Sequence, residues 1–342
     1  MMIKAEKKNY ITYLTVLASL AVVMLHCNFR WYGFGYERSW VTSNFLRSVM
    51  IFAVPVFFMV TGATLIDYRK RYSTKEFVIK RVKRTVIPFL AWSVIGGVLI
   101  MAEKNQWLRI DEFTSAVLGC KFIDFYWFFP ALFGVYLAIP FLSLIPEDKR
   151  KSAFAYAIIC GFVLNSLLPF VIRFLPITYD REHFIFPAMG GYLLLVLIGY
   201  YLSHFELIKK QRIVVYSLGI VGLLMMIFGT WWASFDAGKI SYMFEGYQNV
   251  PCVLYSTAIF LVVRNMKSSK LTRIFDRVLV PFAGLAYGIY LVQWFVLHFV
   301  AKVEWIDRGG IWYRTLGGVS VYLICAAVVW VLKKMPVTRR IV

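Results

Sequence analysis

The sequence is short of charge and of cysteine. Asp, Glu, Lys and Arg make up 16% of its 342 residues, whereas a soluble globular domain carries roughly 25%. The five cysteines, at positions 27, 120, 160, 252 and 325, form neither a Cys-x-x-Cys pair nor a metal-ligand spacing. These shortages exclude a soluble globular domain and a disulfide scaffold, and they give no support to a zinc site.

Apolar residues are abundant instead. They make up 60% of the chain, and aromatic residues alone make up 18%. This composition also excludes a disordered or collagen-like chain. A small membrane barrel would alternate in segments of about ten residues, whereas the apolar runs here have the length of membrane helices. We therefore predict one all-α domain, residues 1–342, that forms a polytopic integral membrane helix bundle.

Ten runs have the length and composition of a membrane span. They cover residues 9–29, 48–67, 85–102, 125–145, 152–175, 185–203, 213–233, 249–265, 278–300 and 313–333. The first run has no small-residue cleavage site before the next loop, so we predict a retained helix rather than a signal peptide.

Basic residues are distributed unevenly between alternate loops. The formal net charge is +20. The two termini and every second loop hold 26 Lys and Arg, while the intervening loops and span ends hold 12. Because basic residues collect on the cytoplasmic side, both termini are predicted to be cytoplasmic, which requires an even number of spans. The charge is thus attributed to topology, and the expected partner is the lipid bilayer and not nucleic acid.

His26 ends the first apolar run and is followed by Cys27 and Asn28. At ~1.5 Å per residue it lies ~25 Å along the helix from Asn9, toward the far leaflet. An ionisable side chain is costly there unless it faces the interior of the bundle. Two interpretations stay open: a general base that titrates near neutrality, and a histidine that only hydrogen-bonds its neighbours.

A basic run precedes the third span. Ser73 or Thr74, followed by Glu76, resembles a capping box and predicts a helix start. The helix then carries four cations before it enters the membrane: Lys80, Arg81, Lys83 and Arg84. They form either a patch that sets topology and contacts lipid, or a clamp for an anionic phosphate at a cytoplasmic mouth.

Other polar and aromatic residues are weaker candidates. Trp127 lies at a span entrance, where aromatic residues commonly form an interfacial belt. Tyr290 and Gln293 share a helix face at mid-membrane, where they bond a neighbouring helix or line a site. The segment YDREH, residues 179–183, is predicted to be a solvated outer loop, with substrate contacts as the alternative. No cluster of Asp, Glu and His suggests a metal, and no cofactor is expected.

Six segments occur in a characteristic order: LAVVMLH, AVPVFFMVTGATL, KRVKRTVIPF, WFFPALFGVYLAIPF, LIGYYLS and AYGIYLVQ. As an ordered set they resemble the bacterial acyltransferase-3 family, the membrane O-acyltransferases of surface polysaccharides. The resemblance covers residues 9 to about 295. It is greater to the compact members with ten spans than to those with an added extracytoplasmic domain.

The resemblance implies a donor and an acceptor. The donor is a cytoplasmic acyl-CoA, most simply acetyl-CoA, as co-substrate. The acceptor is a hydroxyl of a cell-surface glycan or of its lipid-linked precursor, and the protein is placed in the bacterial cytoplasmic membrane. The family's first-span histidine corresponds to His26, the expected general base.

The family's basic helix end corresponds to Arg81 and Arg84 in this sequence. With their neighbours, the expected donor-binding residues are Lys80, Arg81, Lys83 and Arg84. The candidates for acceptor binding or oxyanion stabilisation are Asn28, Trp127, Tyr290 and Gln293.

Two parts of the sequence differ from the family pattern. The arginine that the family carries eleven residues before its histidine is Thr15 here, and an aspartate three residues earlier is Thr12. The family's Tyr-Leu-x-His ends here in Gln293. Either the missing charge is supplied elsewhere, for example by Arg84, or the chemistry has changed.

These expectations require a passage through the bundle. The donor phosphates are expected at the basic face of the protein, whereas His26 lies toward the opposite face. The pantetheine arm is therefore predicted to pass through a channel in the bundle. His26 would take the proton of the acceptor hydroxyl as its oxygen attacks the thioester, or would itself carry the acyl group. The competing interpretation is an exporter of polysaccharide or lipid-linked glycan without acyl transfer, although no inverted repeat is evident.

Overall fold

The computed structural model describes residues 2–175, 191–266 and 269–342. Within these ranges the α-helices are α1 (Met2–Cys27), α2 (Arg38–Met50), α3 (Ala53–Leu65), α4 (Thr74–Arg81), α5 (Ile87–Lys104), α6 (Ile110–Leu118), α7 (Phe128–Leu142), α8 (Arg150–Phe162), α9 (Leu168–Ile172), α10 (Leu193–His204), α11 (Lys209–Leu224), α12 (Thr230–Ala237), α13 (Val250–Arg264), α14 (Lys270–Leu279), α15 (Ala286–Val300) and α16 (Gly318–Lys334). The segment 179–183 and the start of the predicted span 185–203 lie outside the described residues.

Short turns of other helical types join or interrupt these helices. The 3-10 turns include Phe29–Tyr32, Ile66–Lys70, Asp124–Trp127, Val280–Phe282 and Thr338–Arg340, and the π turns include Val82–Val86, Val163–Leu167, Met225–Gly229 and Tyr313–Gly317. The capping box predicted at α4 is confirmed, because Ser73 and Glu76 each accept a hydrogen bond from the other's backbone N–H. The N-cap residue is therefore Ser73 and not Thr74.

Seven helical stretches of the described chain are long and apolar enough to cross a membrane: Asn9–Cys27, Arg38–Lys70, Thr74–Lys104, Asp124–Leu142, Arg150–Ile172, Lys209–Ala237 and Tyr313–Lys334. An eighth would consist of Thr272–Phe282 and Ala286–Val300, which are bent by 64° where one continuous span was predicted. Pro281 lies just before the break and lacks the N–H that an unbroken helix needs.

The remaining two predicted runs contain shorter apolar helices, Leu193–His204 and Val250–Arg264. The all-α polytopic membrane bundle is thus confirmed. The count of ten spans and the cytoplasmic side of the termini stay predictions.

Helix α1 lies at the centre of the bundle, packed against α3, α13, α15 and α16. Leu14, Ala18 and Val22 belong to the larger of the two apolar clusters to which α1 contributes, which also contains residues of α3 and α10. Val23 and Cys27 belong to the other, with α15 and α16. Apolar residues thus lie on both faces of α1, as is typical of a helix in the interior of a bundle. Its last turn, with His26, therefore lies in the interior.

Helices α3 and α10 cross in close contact. A Cβ atom at Gly62 would overlap the carbonyl oxygen of Val196, and one at Gly199 would overlap the carbonyl of Met59. Small residues permit this approach of two helix backbones in a membrane, where packing drives association. The crossing fixes the position of α3, which forms one wall of the cavity described below.

Polar contacts join the helices at both ends of the bundle. Asp67 bonds Arg150 at 2.5 Å and His204 at 3.0 Å, whereas Arg47 pairs with Glu245 at 2.6 Å at the other end. The end that carries residues 67–84, 143–150, 204–209 and 333–340 is the basic end. The end that carries residues 28–47, 103–127, 242–249 and 298–314 is the opposite end.

Candidate functional site

A cavity of about 610 Å³ extends from the basic end into the bundle. Val22 of α1, Val54 of α3, Leu132 of α7 and Tyr290 of α15 lie in its apolar inner part. Ligand pockets commonly have volumes of roughly 300–1,000 Å³. The cavity is therefore large enough for an elongated ligand that enters between the helices.

Cations surround the mouth of this cavity. They are Arg81, Lys83, Arg84, Lys333, Arg339 and Arg340. Neither Asp nor Glu occurs among the described lining residues, which also include Val342. A cleft lined by one sign of charge concentrates ligands of the opposite sign, and guanidinium groups bind phosphate through paired hydrogen bonds. The mouth is thus suited to a ligand with several phosphate charges.

The π turn Val82–Val86 brings cations that are close in sequence to one cavity wall. It interrupts the regular α-helical spacing between α4 and α5, and such turns frequently occur at functional sites. Of the four predicted donor-binding residues, Arg81, Lys83 and Arg84 line the cavity. Lys80 points elsewhere, with its Nζ 3.7 Å from the ring centre of Tyr72.

Arg81 has a buried donor that lacks a partner within the described part of the chain, its Nε. The guanidinium lies 5.6 Å from the ring centres of both Phe77 and Tyr136. A buried charged donor without an acceptor costs more free energy than an ordinary missing hydrogen bond. This arrangement favours an anion bound against Arg81 in the cavity.

The sequence analysis did not identify Lys333, Arg339 and Arg340 as site residues. The chain turns back after α16, and Trp92 Nε1 donates to the carbonyl of Ile341 at 2.8 Å. Lys333 Nζ also donates to the carbonyl of Gly284. The only signal in the sequence was a basic C-terminal segment, which topology alone explained.

Thr15 lines the same cavity. Its hydroxyl donates to the carbonyl of Ile11 at 2.7 Å, within its own helix. At the position where the resembling family carries an arginine, this chain therefore presents a small side chain. The positive charge of the cavity comes from the basic helix and the C-terminal segment instead.

His26 lies one helical turn beyond Val22, about 6 Å further along α1. Its side chain is half-buried. The imidazole Nδ1 is 3.1 Å from Oε1 of Gln293, and Phe125 stacks face to face on the ring with 3.7 Å between centroids. Phe125 thus covers a face of the ring, and neither this stacking nor the bond to Gln293 involves Nε2.

The hydrogen bonds of Gln293 determine the tautomer of His26. Its Nε2 donates to the carbonyl of Tyr290 at 3.2 Å, so the amide oxygen faces the imidazole. Because an amide oxygen only accepts hydrogen bonds, Nδ1 carries the ring proton and Nε2 keeps its lone pair. Gln293 is fully buried. Its hydrogen bond to Nδ1 therefore leaves Nε2 as the ring nitrogen without the proton.

Tyr290 connects the cavity to this pair. It lines the inner part of the cavity, and its hydroxyl donates to the carbonyl of Phe125. The structure therefore brings Tyr290, Gln293 and His26 together, with Phe125 as a fourth member that sequence reasoning missed. An aromatic residue in an aromatic-rich segment gave no separate signal.

The other two candidates have different surroundings. Asn28 is buried, donates to the carbonyl of Ser43 at 2.8 Å and accepts from its hydroxyl at 2.6 Å, which ties the end of α1 to α2. Trp127 is 37% exposed and stacks on Tyr247 at 5.4 Å. Neither lines the cavity from the basic end, so far as the structure describes its wall.

Arg47 is a further residue that the sequence analysis did not select. It pairs with Glu245, lies 3.9 Å from the ring centre of Trp31 and is within electrostatic range of His26. The available signal was its place directly before an apolar span, where an ionisable residue is costly. A cation is thus present near the imidazole on the side away from the cavity mouth.

Comparison with known proteins agrees with these features. The family model described as an acyltransferase domain matches residues 8–330. Searches among curated proteins and among solved structures found no match. Since the family match covers nearly the whole helical bundle, including His26 and the mouth residues Arg81, Lys83 and Arg84, the chain belongs to the acyltransferase-3 family.

Proposed function

We propose that this membrane acyltransferase moves an acyl group, most simply acetyl, from cytoplasmic acyl-CoA to a hydroxyl of a cell-surface glycan or its lipid-linked precursor. The reaction takes place in the bacterial cytoplasmic membrane, with His26 as general base. One observation carries the proposal: a cavity whose mouth is lined by six Lys and Arg side chains extends to within a helical turn of that imidazole.

The dimensions of the cavity fit a pantetheine arm. Thr15 is the lining residue of α1 nearest the basic end, and His26 follows it by eleven residues, about 16 Å of helix. The arm is of the order of half the ~30 Å hydrocarbon thickness. With its phosphates at Arg81 and Arg84, acyl-CoA presents its thioester near His26.

The chemical step uses the Nε2 lone pair. The acceptor oxygen attacks the thioester carbonyl, a C–O bond forms and the C–S bond breaks. Nε2 takes the hydroxyl proton and returns it to the departing CoA thiolate. Gln293 keeps the ring oriented through Nδ1 during both proton transfers. The products are an O-acyl ester and the CoA thiol.

Replacing Arg84 by Ala is expected to weaken donor binding about tenfold, because a charge-assisted contact to phosphate is lost. Turnover at saturating donor should change little, since that contact is present in ground and transition states alike. Titration calorimetry with acetyl-CoA and initial rates with radiolabelled donor measure the two effects. Arg340→Ala should behave in the same way.

Arg109→Ala is the matched control for these variants. Arg109 is 79% exposed at the opposite end and pairs only locally with Asp111, so donor affinity should stay unchanged. A fall in turnover at Arg84→Ala with unaltered donor affinity would argue against a phosphate clamp.

Replacing Gln293 by Leu is expected to lower turnover about tenfold to hundredfold, the range typical for residues that orient a functional histidine. Donor affinity should persist, because Gln293 does not line the described cavity wall. Gln293→Glu keeps an acceptor toward Nδ1 and should recover most of the turnover. If the Leu variant turns over like the wild type, Gln293 does not position the base.

A further inference from the structure

We propose that a second pocket, at the opposite end of the bundle, binds a single pyranose ring of the acceptor and presents one of its hydroxyls to His26. This inference rests on the proposed function. It adds where the acceptor binds and how much of it is recognised.

The pocket has a volume of about 290 Å³. Its wall is formed by α8–α9 and by the loop before α13, with Asn165, Ser166, Tyr192, Tyr247 and Gln248 among its residues. This volume is at the lower limit of ligand pockets, roughly 300 Å³. The pocket therefore accommodates one ring-sized group, and the other rings of an acceptor would lie outside it.

The lining combines aromatic rings with an amide group. Tyr192, Tyr242 and Tyr247 provide aromatic surface, while the amide of Gln248, which also bonds the Tyr192 phenol, provides hydrogen-bond donors and an acceptor. A pyranose has apolar C–H faces that pack on aromatic rings and a rim of hydroxyl groups that bond amides. The pocket has both kinds of complementary surface.

Ser166 offers an unused hydroxyl in this wall. The residue lies in the π turn Val163–Leu167, and its Oγ is buried without a hydrogen-bond partner in the described ranges. Buried hydroxyls are nearly always hydrogen-bonded in folded proteins. A ligand hydroxyl in the pocket would supply the partner that Ser166 lacks.

Two charged side chains line the pocket, Arg173 and Glu245, and Arg173 donates to the backbone carbonyls of Tyr242 and Met243. The carboxylate of Glu245 is held by Arg47 at 2.6 Å. Burial raises the pKa of the Tyr247 phenol, which therefore stays neutral and keeps a proton to donate. A neutral phenol beside a paired carboxylate is thus available to a polar ligand in this pocket.

A single 3-10 turn connects this pocket to the base. In Asp124–Trp127, Phe125 stacks on His26 at 3.7 Å, and Trp127, two residues later, stacks on Tyr247 of the pocket at 5.4 Å. His26 itself does not line the pocket, but this turn joins the pocket wall to the imidazole through two side chains that are two residues apart. The donor reaches the same imidazole from the other end of the bundle, past Tyr290.

In the resulting transfer, the ring hydroxyl gives its proton to His26 Nε2, and its oxygen forms the new ester bond as the thioester C–S bond breaks. The proton then passes to the CoA thiolate. Both substrates are thus present at once, and no acyl-enzyme is required.

The test measures acceptor use and donor binding separately. Purified protein in lipid nanodiscs receives radiolabelled acetyl-CoA and cell envelopes of the source bacterium that lack the protein. We expect Gln248→Ala to lower the rate at limiting envelope concentration about tenfold, as the loss of a substrate hydrogen bond does. Ser166→Ala should lower it in the same direction without loss of thermal stability, because Ser166 has no described partner to lose.

Donor affinity, measured by calorimetry with acetyl-CoA, should match the wild type in both variants and confirms that they are folded. Gln106→Ala is the control, since Gln106 is an exposed amide at the opposite end outside the pocket. Methyl glucoside, methyl galactoside and methyl mannoside at high millimolar concentration should slow transfer more than sorbitol. Extraction of the labelled envelopes with organic solvent then separates a lipid-linked acceptor, which dissolves, from a polymeric acceptor, which does not.

The outcomes separate the two proposals. If Gln248→Ala and Ser166→Ala transfer label at the wild-type rate, the proposed acceptor pocket is wrong, while the proposed acyltransferase function stands. Equal effects of sorbitol and all three glycosides would overturn recognition of a ring. Wild-type protein that binds acetyl-CoA but transfers no label to envelopes would contradict the proposed function, and the pocket proposal with it.

Discussion

Replacing His26 by Ala is expected to abolish acyl transfer and to leave donor binding intact. A positioned general base contributes about 10²–10⁴ in rate, so turnover should fall by that factor. The cavity that opens at the basic end, where the donor is proposed to bind, ends a helical turn before His26, at Val22 and Tyr290. The fold should persist, because His26 is half-buried and Gln293 keeps its bond to the Tyr290 carbonyl.

The measurement is single-turnover transfer from radiolabelled acetyl-CoA, with calorimetry for donor affinity. His298→Ala is the matched control: it removes another histidine from the opposite end, one that bonds Glu103 at 2.9 Å, and should transfer normally. Wild-type turnover in His26→Ala would exclude this residue as the base. The same assay distinguishes an exporter, which would neither transfer label nor release CoA.

Replacing Gly199 by Ala is expected to destabilise the protein by about 3 kcal/mol or more. Over-packing a core side chain costs roughly 1–3 kcal/mol, and here the added methyl would meet the backbone carbonyl of Met59, which cannot rotate away. Helices α3 and α10 would have to separate. Since α3 forms a wall of the donor cavity, transfer should be lost along with stability.

Thermal unfolding of the detergent-solubilised variants, followed by size-exclusion chromatography, measures this effect. Gly134→Ala serves as the control, because no heavy atom lies within 4 Å of a Cβ built there. It should be neutral or stabilise the helix by about 0.5–1 kcal/mol. A Gly199→Ala protein as stable as the wild type would contradict the close crossing of α3 and α10.

The sequence was sufficient for features that depend on local composition. Apolar runs predicted an all-α membrane bundle, and the capping box predicted the start of α4. His26 was a candidate because an ionisable side chain at membrane depth is rare. The bend before α15 was not predicted, because hydropathy does not register the missing N–H of Pro281.

Features that depend on long-range packing could not be predicted. Arg339 and Arg340 meet Arg84 only because the C-terminal segment folds back over the cavity mouth. Gln293 was expected to bond a neighbouring helix or to act on the oxyanion, and its role toward His26 Nδ1 depends on the relative rotation of α1 and α15. Periodicity within each helix does not determine that rotation.

The fold-back of the C-terminal segment has a consequence for biosynthesis. Membrane helices leave the ribosome in chain order, so His26 and Arg84 are in place long before Arg339 and Arg340 are polymerised. At about 5–20 residues per second, the interval between residues 84 and 340 is on the order of 10–50 s. A nascent or prematurely terminated chain therefore possesses the imidazole with an incomplete cationic entrance, and only the chain extended to residue 340 has all six cations at the mouth.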